Sequence, residues 1–202
     1  MLGLPKSTEL NKPLPKTAVY AKFQMSAAEK SKIDADISRM VIVNEVSAAR
    51  LNLLPGEKVQ AFFVLQVGLK RKEFSEKTLV TLSKLISQHM VFLLEHEGQA
   101  KLAVYHTKLL QTPWSTPDAL NLAVKGLTMD TVWENVIVQI GGIQMQDGNT
   151  LEQQLVQDEQ RARLEKEIAR LEKLARAEKQ PKKKFELVQR INALKEISNQ
   201  MQ

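Results

Sequence analysis

The sequence predicts a protein of the α/β (α+β) class: a mixed small sheet with flanking helices, followed by a C-terminal antiparallel two-helix coiled-coil hairpin. Apolar residues alternate from Val59 to Leu69, which indicates a strand. An amphipathic helical pattern then precedes two further strand-like runs, and apolar residues at coiled-coil spacing occupy the end of the chain. We therefore divide the chain into an α/β domain at residues 1–143, a linker at 144–149 and a helical hairpin at 150–202.

The composition is that of an ordinary folded protein, with 43% hydrophobic and 26% charged residues in a chain of 202. Its net charge of +6, from 29 basic and 23 acidic side chains, suits an acidic partner without requiring nucleic acid. The chain has no cysteine, which excludes disulfides, thiolate catalysis and cysteine-based metal sites.

The start of the chain argues against secretion, because residues 1–16 carry Pro5, Pro13 and Pro15 among lysines and contain no continuous apolar run. No later apolar run approaches the roughly 20 residues that span a bilayer. We therefore expect a cytoplasmic protein without a membrane anchor.

The first half of the chain opens with a helix and two strands. Ser26 and Glu29 have the spacing of a capping box, which predicts a helix at residues 26–39. The β-branched run at 40–46 predicts a buried strand, and a turn at Pro55-Gly56 separates it from the strand at 59–69. The polar residues expected on the opposite face of this second strand are Gln60, Gln66 and Lys70.

A crossover helix and two more strands follow. Phe74 and Leu79 flank Ser75 as a hydrophobic staple, and the leucine spacing predicts a helix at 75–88. The apolar runs at 91–94 and 102–105 predict two strands joined by a tight turn. Because a strand, a helix and a strand follow in sequence, we expect one parallel pair with antiparallel neighbours.

Two short helices are predicted to complete the domain. Thr116-Pro117 is expected to open the first, which Gly126 ends. Asp130 is expected to cap the second, which runs to Gly141-Gly142.

The hairpin begins with a second capping box, at Thr150 and Gln153, and its first helix runs to about Lys179. Pro181 cannot continue this helix but suits the first turn of the next. Acids precede bases by four residues at Glu159/Arg163, Glu172/Arg176 and Glu186/Arg190. The apolar seam between the arms is predicted to comprise Leu164, Ile168, Leu171, Leu187, Ile191 and Leu194, continued by Met201.

No catalytic motif, metal site or cofactor site is predicted. The chain has no glycine-rich phosphate loop, nucleophile elbow or paired carboxylates in a catalytic arrangement. His89, His96 and His106 fall near strand ends, where they cannot converge on one ion.

One enzymatic alternative stays open, a divergent metal-dependent nuclease of the restriction-endonuclease type. Such an enzyme needs an acid on one strand, and an acid or Gln two residues before a Lys on the next. Gln99-Ala100-Lys101, with Glu95 as the acid, is the strand-borne segment that fits.

Two basic clusters are candidate sites for nucleic acid or an acidic partner. The first is Lys70, Arg71 and Lys72, at the end of a strand where α/β sheets often bind ligands. The second lies at the turn of the hairpin, where three lysines in the first helical turn oppose the helix dipole. Its members are Lys179, Lys182, Lys183 and Lys184.

Three segments carry a resemblance to a known family: Leu14-Pro15-Lys16, the strand Phe62-Phe63-Val64-Leu65, and Leu127-Thr128-Met129-Asp130-Thr131-Val132-Trp133-Glu134. With the tail around residues 175–181, they resemble the bacterial domain-of-unknown-function 4391 family. None of the segments is catalytic, so the resemblance implies no active site. It implies a genomic setting beside site-specific DNA methyltransferases and helicase-like ATPases.

We therefore expect a non-enzymatic accessory or adaptor protein of a restriction-modification or phage-defence system. Its hairpin would bind a helicase or methyltransferase partner, and its basic clusters are candidates for contact with nucleic acid. The nuclease is the first alternative. A homodimeric structural protein, whose helical stripes pair between chains, is the second.

Overall fold

The computed structural model describes residues 2–200, and the chain divides into two compact units, residues 1–143 and 144–202. Met201, predicted to continue the hairpin seam, lies outside the described residues. Among the helices of the described part, none is long and apolar enough to cross a membrane.

The first unit is built on one six-stranded mixed sheet whose strands lie in the order in which they occur along the chain. All neighbours pair antiparallel except the third and fourth strands, which are parallel and confirm the predicted arrangement. The strands are β1 (Glu9–Pro13), β2 (Ile37–Ser47), β3 (Ala61–Leu69), β4 (His89–His96), β5 (Gln99–Tyr105) and β6 (Leu109–Gln111).

Within residues 2–200, five α-helices accompany the sheet and two form the second unit. The first-unit helices are α1 (Lys16–Lys22), α2 (Ala27–Asp36), α3 (Ala48–Leu51), α4 (Glu76–Leu85) and α5 (Met129–Gly141). The second unit contains α6 (Leu151–Ala177) and α7 (Pro181–Gln200).

Helix α2 begins at the predicted capping box. The Ser26 hydroxyl accepts a hydrogen bond from the Glu29 amide, and the Glu29 carboxylate accepts one from the Ser26 amide. It ends at Asp36, three residues before the predicted end. Ile37 begins β2 instead, because its side chain is fully buried in the core beneath the sheet.

Both faces of β3 are buried, so the predicted polar face of this strand is wrong. Leu65 belongs to a core cluster that includes Leu79 and Leu82 of α4. On the opposite face, Phe62 lies 5.3 Å from the ring of Trp133 in α5. Helices that cover both faces of a parallel pair favour continuous apolar strands over strict alternation.

The helix predicted between Thr116 and Gly126 is also wrong. The segment contains a single 3₁₀ turn, Pro117–Ala119, followed by extended chain. The Gln139 side chain of α5 accepts a hydrogen bond from the Ala123 amide (2.9 Å) and donates one to the Ala123 carbonyl (2.8 Å). This tertiary pairing satisfies backbone groups that a helix would otherwise have to satisfy locally.

Asp130 does not cap α5 as predicted, since Thr128 occupies that position and accepts a hydrogen bond from the Thr131 amide. The Asp130 carboxylate instead accepts hydrogen bonds from the amides of the loop before β3. The oxygen-to-nitrogen distances are 2.7 Å to Glu57, 3.1 Å to Lys58 and 2.7 Å to Val59. This carboxylate therefore ties the loop to the start of α5.

We expect Asp130→Ala to lower the melting temperature by several degrees, because three loop amides lose their acceptor. Hydrogen exchange at Glu57, Lys58 and Val59 should accelerate in the same variant. Asp118→Ala, which removes an exposed carboxylate of the 3₁₀ turn, serves as the control. Equal melting temperatures and equal loop exchange in both variants would contradict the assigned role of Asp130.

Candidate functional site

The basic cluster after β3 separates into residues with different roles. The Arg71 guanidinium donates two hydrogen bonds to Asp36 Oδ1, at 2.8 and 3.2 Å. The other oxygen of Asp36 accepts from the Ser75 amide (3.1 Å) and the Thr78 hydroxyl (3.0 Å). Arg71 is thus part of an internal ion pair, and Asp36 occupies the amino-terminal end of α4, where an external anion would otherwise be favoured.

Asp36 is only 2% exposed, and this burial acts to raise its pKa. The hydrogen bonds from Arg71, Ser75 and Thr78 outweigh the burial, so the pKa lies below its ordinary value. The carboxylate is therefore ionised at neutral pH and balances part of the charge of the basic cluster.

Lys72 contributes to a different arrangement, which we call the tryptophan patch: Lys72, Phe74, Lys101 and Trp114. The Lys72 ammonium lies 5.7 Å from the centre of the Trp114 ring. The Lys101 ammonium lies 5.0 Å from the same ring and 4.9 Å from the ring of Phe74. All three distances are within the range of cation–π attraction.

The backbone fixes Trp114 at this position. The next residue, Ser115, exchanges two backbone hydrogen bonds with Ala100 of β5, at 2.8 and 2.9 Å. The sequence does not indicate this patch: Phe74 is assigned only to the hydrophobic staple, and Trp114 is assigned no role, because a lone aromatic residue far in sequence from Lys72 and Lys101 carries no motif. Only the pairing of β5 with the segment after β6 brings these residues together.

Lys101 is partly withdrawn from water, and this desolvation lowers its pKa. Its ammonium donates to the side-chain oxygen of Gln111, and the Gln111 amide donates to Glu76 at 2.6 Å. A neutral amide therefore lies between Lys101 and the carboxylate of Glu76.

The residues of the nuclease alternative lie on different faces of the sheet. Glu95 is opposite Ala100 in the β4–β5 ladder, and Leu94 is opposite Lys101. Because paired residues share a face and adjacent residues alternate, Glu95 and Lys101 point to opposite sides. Glu95 instead accepts a hydrogen bond from Gln66 at 2.8 Å. The fold thus separates the acid from the lysine that this chemistry would require nearby.

The three histidines have separate environments. His89 packs on Trp133, with ring centres 4.9 Å apart, and its partial burial lowers its pKa. A ring nitrogen of His96 lies 3.3 Å from the carbonyl oxygen of Leu69. Across residues 2–200, no group of three or more histidine, aspartate or glutamate side chains is arranged to hold a metal ion.

In the second unit, the apolar seam joins α6 to α7 within one chain. Leu171, Ala175 and Ile191 are buried at this contact. The partly buried residues around them are Ile168, Leu187 and Leu194. Leu164, predicted as part of the seam, is half-buried and lies outside this cluster.

Ion pairs accompany the seam. Glu159 and Arg163 are 2.6 Å apart, and Glu172 and Arg176 are 3.9 Å apart, both at the predicted spacing of four. Across the arms, Glu172 pairs with Lys195 at 2.8 Å, and Glu167 lies 3.8 Å from Arg190. Arg190 thus faces the other arm, and not Glu186 as predicted.

The far end of the hairpin, residues 174–190, combines positive charge with exposed apolar side chains; we call it the hairpin tip. Lys179 lies in the connection, and Lys182, Lys183 and Lys184 are exposed in the first turn of α7. Phe185 is 62% exposed and Leu174 is 46% exposed.

A groove of about 560 Å³ lies between the arms at the hairpin tip. Its apolar lining is Leu174, Ala177 and Leu187, and its charged lining is Glu178, Lys183, Glu186 and Arg190. The tip thus offers a concave apolar surface with charges of both signs around it.

Two comparisons with known proteins are negative: no curated protein and no solved structure matches this chain. The family described as Domain of unknown function (DUF4391) matches residues 2–197, from the segment before β1 to the last turns of α7. Because the match covers nearly the whole sequence, the chain belongs to this family.

Proposed function

We propose that this protein is a non-enzymatic adaptor of a bacterial restriction-modification or phage-defence system and acts in the cytoplasm. Its hairpin tip binds a helicase-like ATPase or a DNA methyltransferase. The basic residues that follow β3 give it a second ligand, nucleic acid. The setting follows from the family resemblance, and the hairpin geometry supports the mode of binding.

The observation that carries this proposal is the contrast between the seam and the hairpin tip. The seam side chains are not available to a partner, because they pack α6 against α7 within one chain. At the tip, Leu174 lines the groove and is still half-exposed, and Phe185 is exposed in the first turns of α7. An exposed apolar patch with a polar border is typical of a protein-binding surface.

The lysines at the start of α7 favour an acidic partner surface. Lys182, Lys183 and Lys184 stand where the helix dipole disfavours positive charge. None of them forms an ion pair with an acid among residues 2–200. A partner carboxylate near these ammonium groups would offset the unfavourable dipole interaction.

A co-purification experiment tests the proposal. The tagged full chain should retain the helicase-like ATPase or methyltransferase encoded beside it. Phe185→Ser should weaken this binding roughly 30-fold, as expected for an aromatic residue central to an interface. Val156→Ser is the matched control, because Val156 is also an exposed apolar residue (54%, against 62% for Phe185) and lies on α6, outside the tip.

Three outcomes would contradict the proposal. Undiminished binding by Phe185→Ser would exclude the hairpin tip, and loss of binding only in Val156→Ser would move the interface to the start of α6. Light scattering examines the homodimer alternative: a wild-type dimer that Phe185→Ser converts to a monomer would show that the tip binds a second copy.

A further inference from the structure

We propose that the tryptophan patch binds single-stranded nucleic acid, with one base stacked on Trp114 and the adjoining phosphates held by Lys72 and Lys101. The inference deepens the nucleic-acid part of the proposed function and rests on it only for the biological setting. The patch belongs to the first unit and shares no residue with the hairpin tip. The two proposals can therefore fail separately.

The geometry supplies a half-buried aromatic ring, packed against the core cluster of the sheet, with two cations beside it. The ammonium groups of Lys72 and Lys101 lie 5.7 and 5.0 Å from the centre of one indole ring. The ring is carried on backbone that pairs directly with β5 through Ser115 and Ala100. An aromatic side chain on rigid backbone loses little conformational freedom when a base stacks on it.

The charges of the patch are available to an external anion. Lys72 donates a hydrogen bond to the side-chain oxygen of Gln99, and Lys101 donates one to that of Gln111. Both partners are neutral amides, so neither ammonium is paired with a carboxylate within the described residues. Arg71, which precedes Lys72, is already bonded to Asp36. The phosphate contacts are therefore assigned to Lys72 and Lys101.

A single strand matches this arrangement better than a duplex. Stacking on a side chain requires a base whose face is free, and duplex bases are already stacked on one another. When a strand binds, the phosphates attract the ammonium groups of Lys72 and Lys101. These groups then leave the Trp114 ring, and the base stacks on the ring in their place. Lys70, exposed at the end of β3, extends the positive surface along the strand path.

Fluorescence anisotropy with a labelled oligothymidylate of about 15 nucleotides, within the usual range of site sizes, tests the inference on the full chain. Trp114→Ala should weaken binding at least about tenfold. The double variant Lys72→Gln/Lys101→Gln should make the slope of log K against log salt shallower by about 1.4, the value for two phosphate contacts on a single strand.

Lys84→Gln is the matched control. Lys84 also lies over an aromatic ring, 5.6 Å from the centre of Tyr105, but it is not part of the tryptophan patch. Binding by this variant should equal that of the wild type. The triple variant Lys182→Gln/Lys183→Gln/Lys184→Gln, altered only at the hairpin tip, should also bind the oligonucleotide normally.

The intrinsic fluorescence of the two tryptophans gives an independent readout. Unlabelled oligonucleotide should quench the emission of the wild type, because a base stacks on Trp114. In Trp114→Phe the remaining emission comes from Trp133, which is buried against Phe62 and should not respond. The phenylalanine retains an aromatic ring, so this variant should bind more tightly than Trp114→Ala.

Several results would overturn the inference. One is wild-type affinity in Trp114→Ala, or in the double lysine variant at low salt. Another is equally tight binding of a duplex of the same length. If polyglutamate displaces the oligonucleotide as effectively as unlabelled oligothymidylate does, the patch recognises acidic protein instead. If Trp114→Ala fails to fold, Trp114→Phe and the lysine variants still decide the question.

Discussion

Replacing Asp36 by alanine is expected to lower the free energy of unfolding by about 3 kcal/mol, a large fraction of the stability of a typical domain. The carboxylate is almost completely buried and satisfies Arg71, the Ser75 amide and the Thr78 hydroxyl together. Its removal leaves the start of α4 without an acceptor. Urea denaturation followed by circular dichroism measures the change.

Arg71→Gln provides the comparison, because the Arg71 side chain is 61% exposed and its removal leaves Asp36 bonded to Ser75 and Thr78. This variant should lose about 1 kcal/mol, because the guanidinium is the exposed member of the pair and the buried carboxylate keeps two of its hydrogen-bond donors. If Asp36→Ala costs no more than Arg71→Gln, the buried hydrogen bonds of Asp36 contribute nothing, contrary to the structure.

The contribution of Asp36 depends on pH in a defined direction. Its pKa in the folded protein lies below the ordinary value of 3.8, so the stabilisation is fully present above pH 3.8. It is lost as the pH falls through the folded-state pKa. The difference in unfolding free energy between the wild type and Asp36→Asn should therefore be constant near neutrality and shrink below pH 3.8.

Replacing Leu171 by alanine should separate the two arms of the hairpin. Leu171 is 2% exposed and is one of the three buried residues of the seam, together with Ala175 and Ile191. A buried leucine-to-alanine change costs about 2–5 kcal/mol, which so small a cluster cannot absorb. In proteins most of the stability of a helix comes from the packing of its apolar face, so α7 depends on its contact with α6. The amides of α7 should therefore exchange with solvent much faster, while the sheet amides remain protected.

Leu174→Ala tests whether the position within the helix, and not the loss of a leucine, causes this effect. Leu174 lies three residues further along α6 and is 46% exposed at the hairpin tip. Its replacement should leave α7 exchange nearly unchanged. Rapid exchange in both variants, or in neither, would show that the seam does not hold the arms together.

The sequence predicted the sheet well where its signals were local and strong. The alternation before Leu69 and the helical leucines after Ser75 were sufficient to predict the parallel pair of β3 and β4. It did not predict β1 or β6. Every residue of β1 is exposed and β6 has only three residues, so neither carries a pattern that distinguishes a strand from a loop.

Both wrong predictions around α5 have one physical cause, which is hydrogen bonding between residues far apart in sequence. Asp130 has the residue type of a cap, yet its carboxylate binds amides more than 70 residues earlier. The segment after Pro117 has a helix-opening sequence, yet Gln139 pairs with its backbone at Ala123. Local patterns contain no information on such partners.

The sequence by itself determined the order of the main elements, the absence of cysteine chemistry and the position of the hairpin turn at Pro181, since these follow from periodicity and residue type. Only the tertiary structure decided which basic side chains pair with a carboxylate and which lie over an aromatic ring. It joined Arg71 to the buried Asp36, and it brought Lys72 and Lys101 to Trp114. The physical reason is that hydrogen bonding and burial depend on neighbours in space, and the chain path that creates them cannot be inferred from residue spacing.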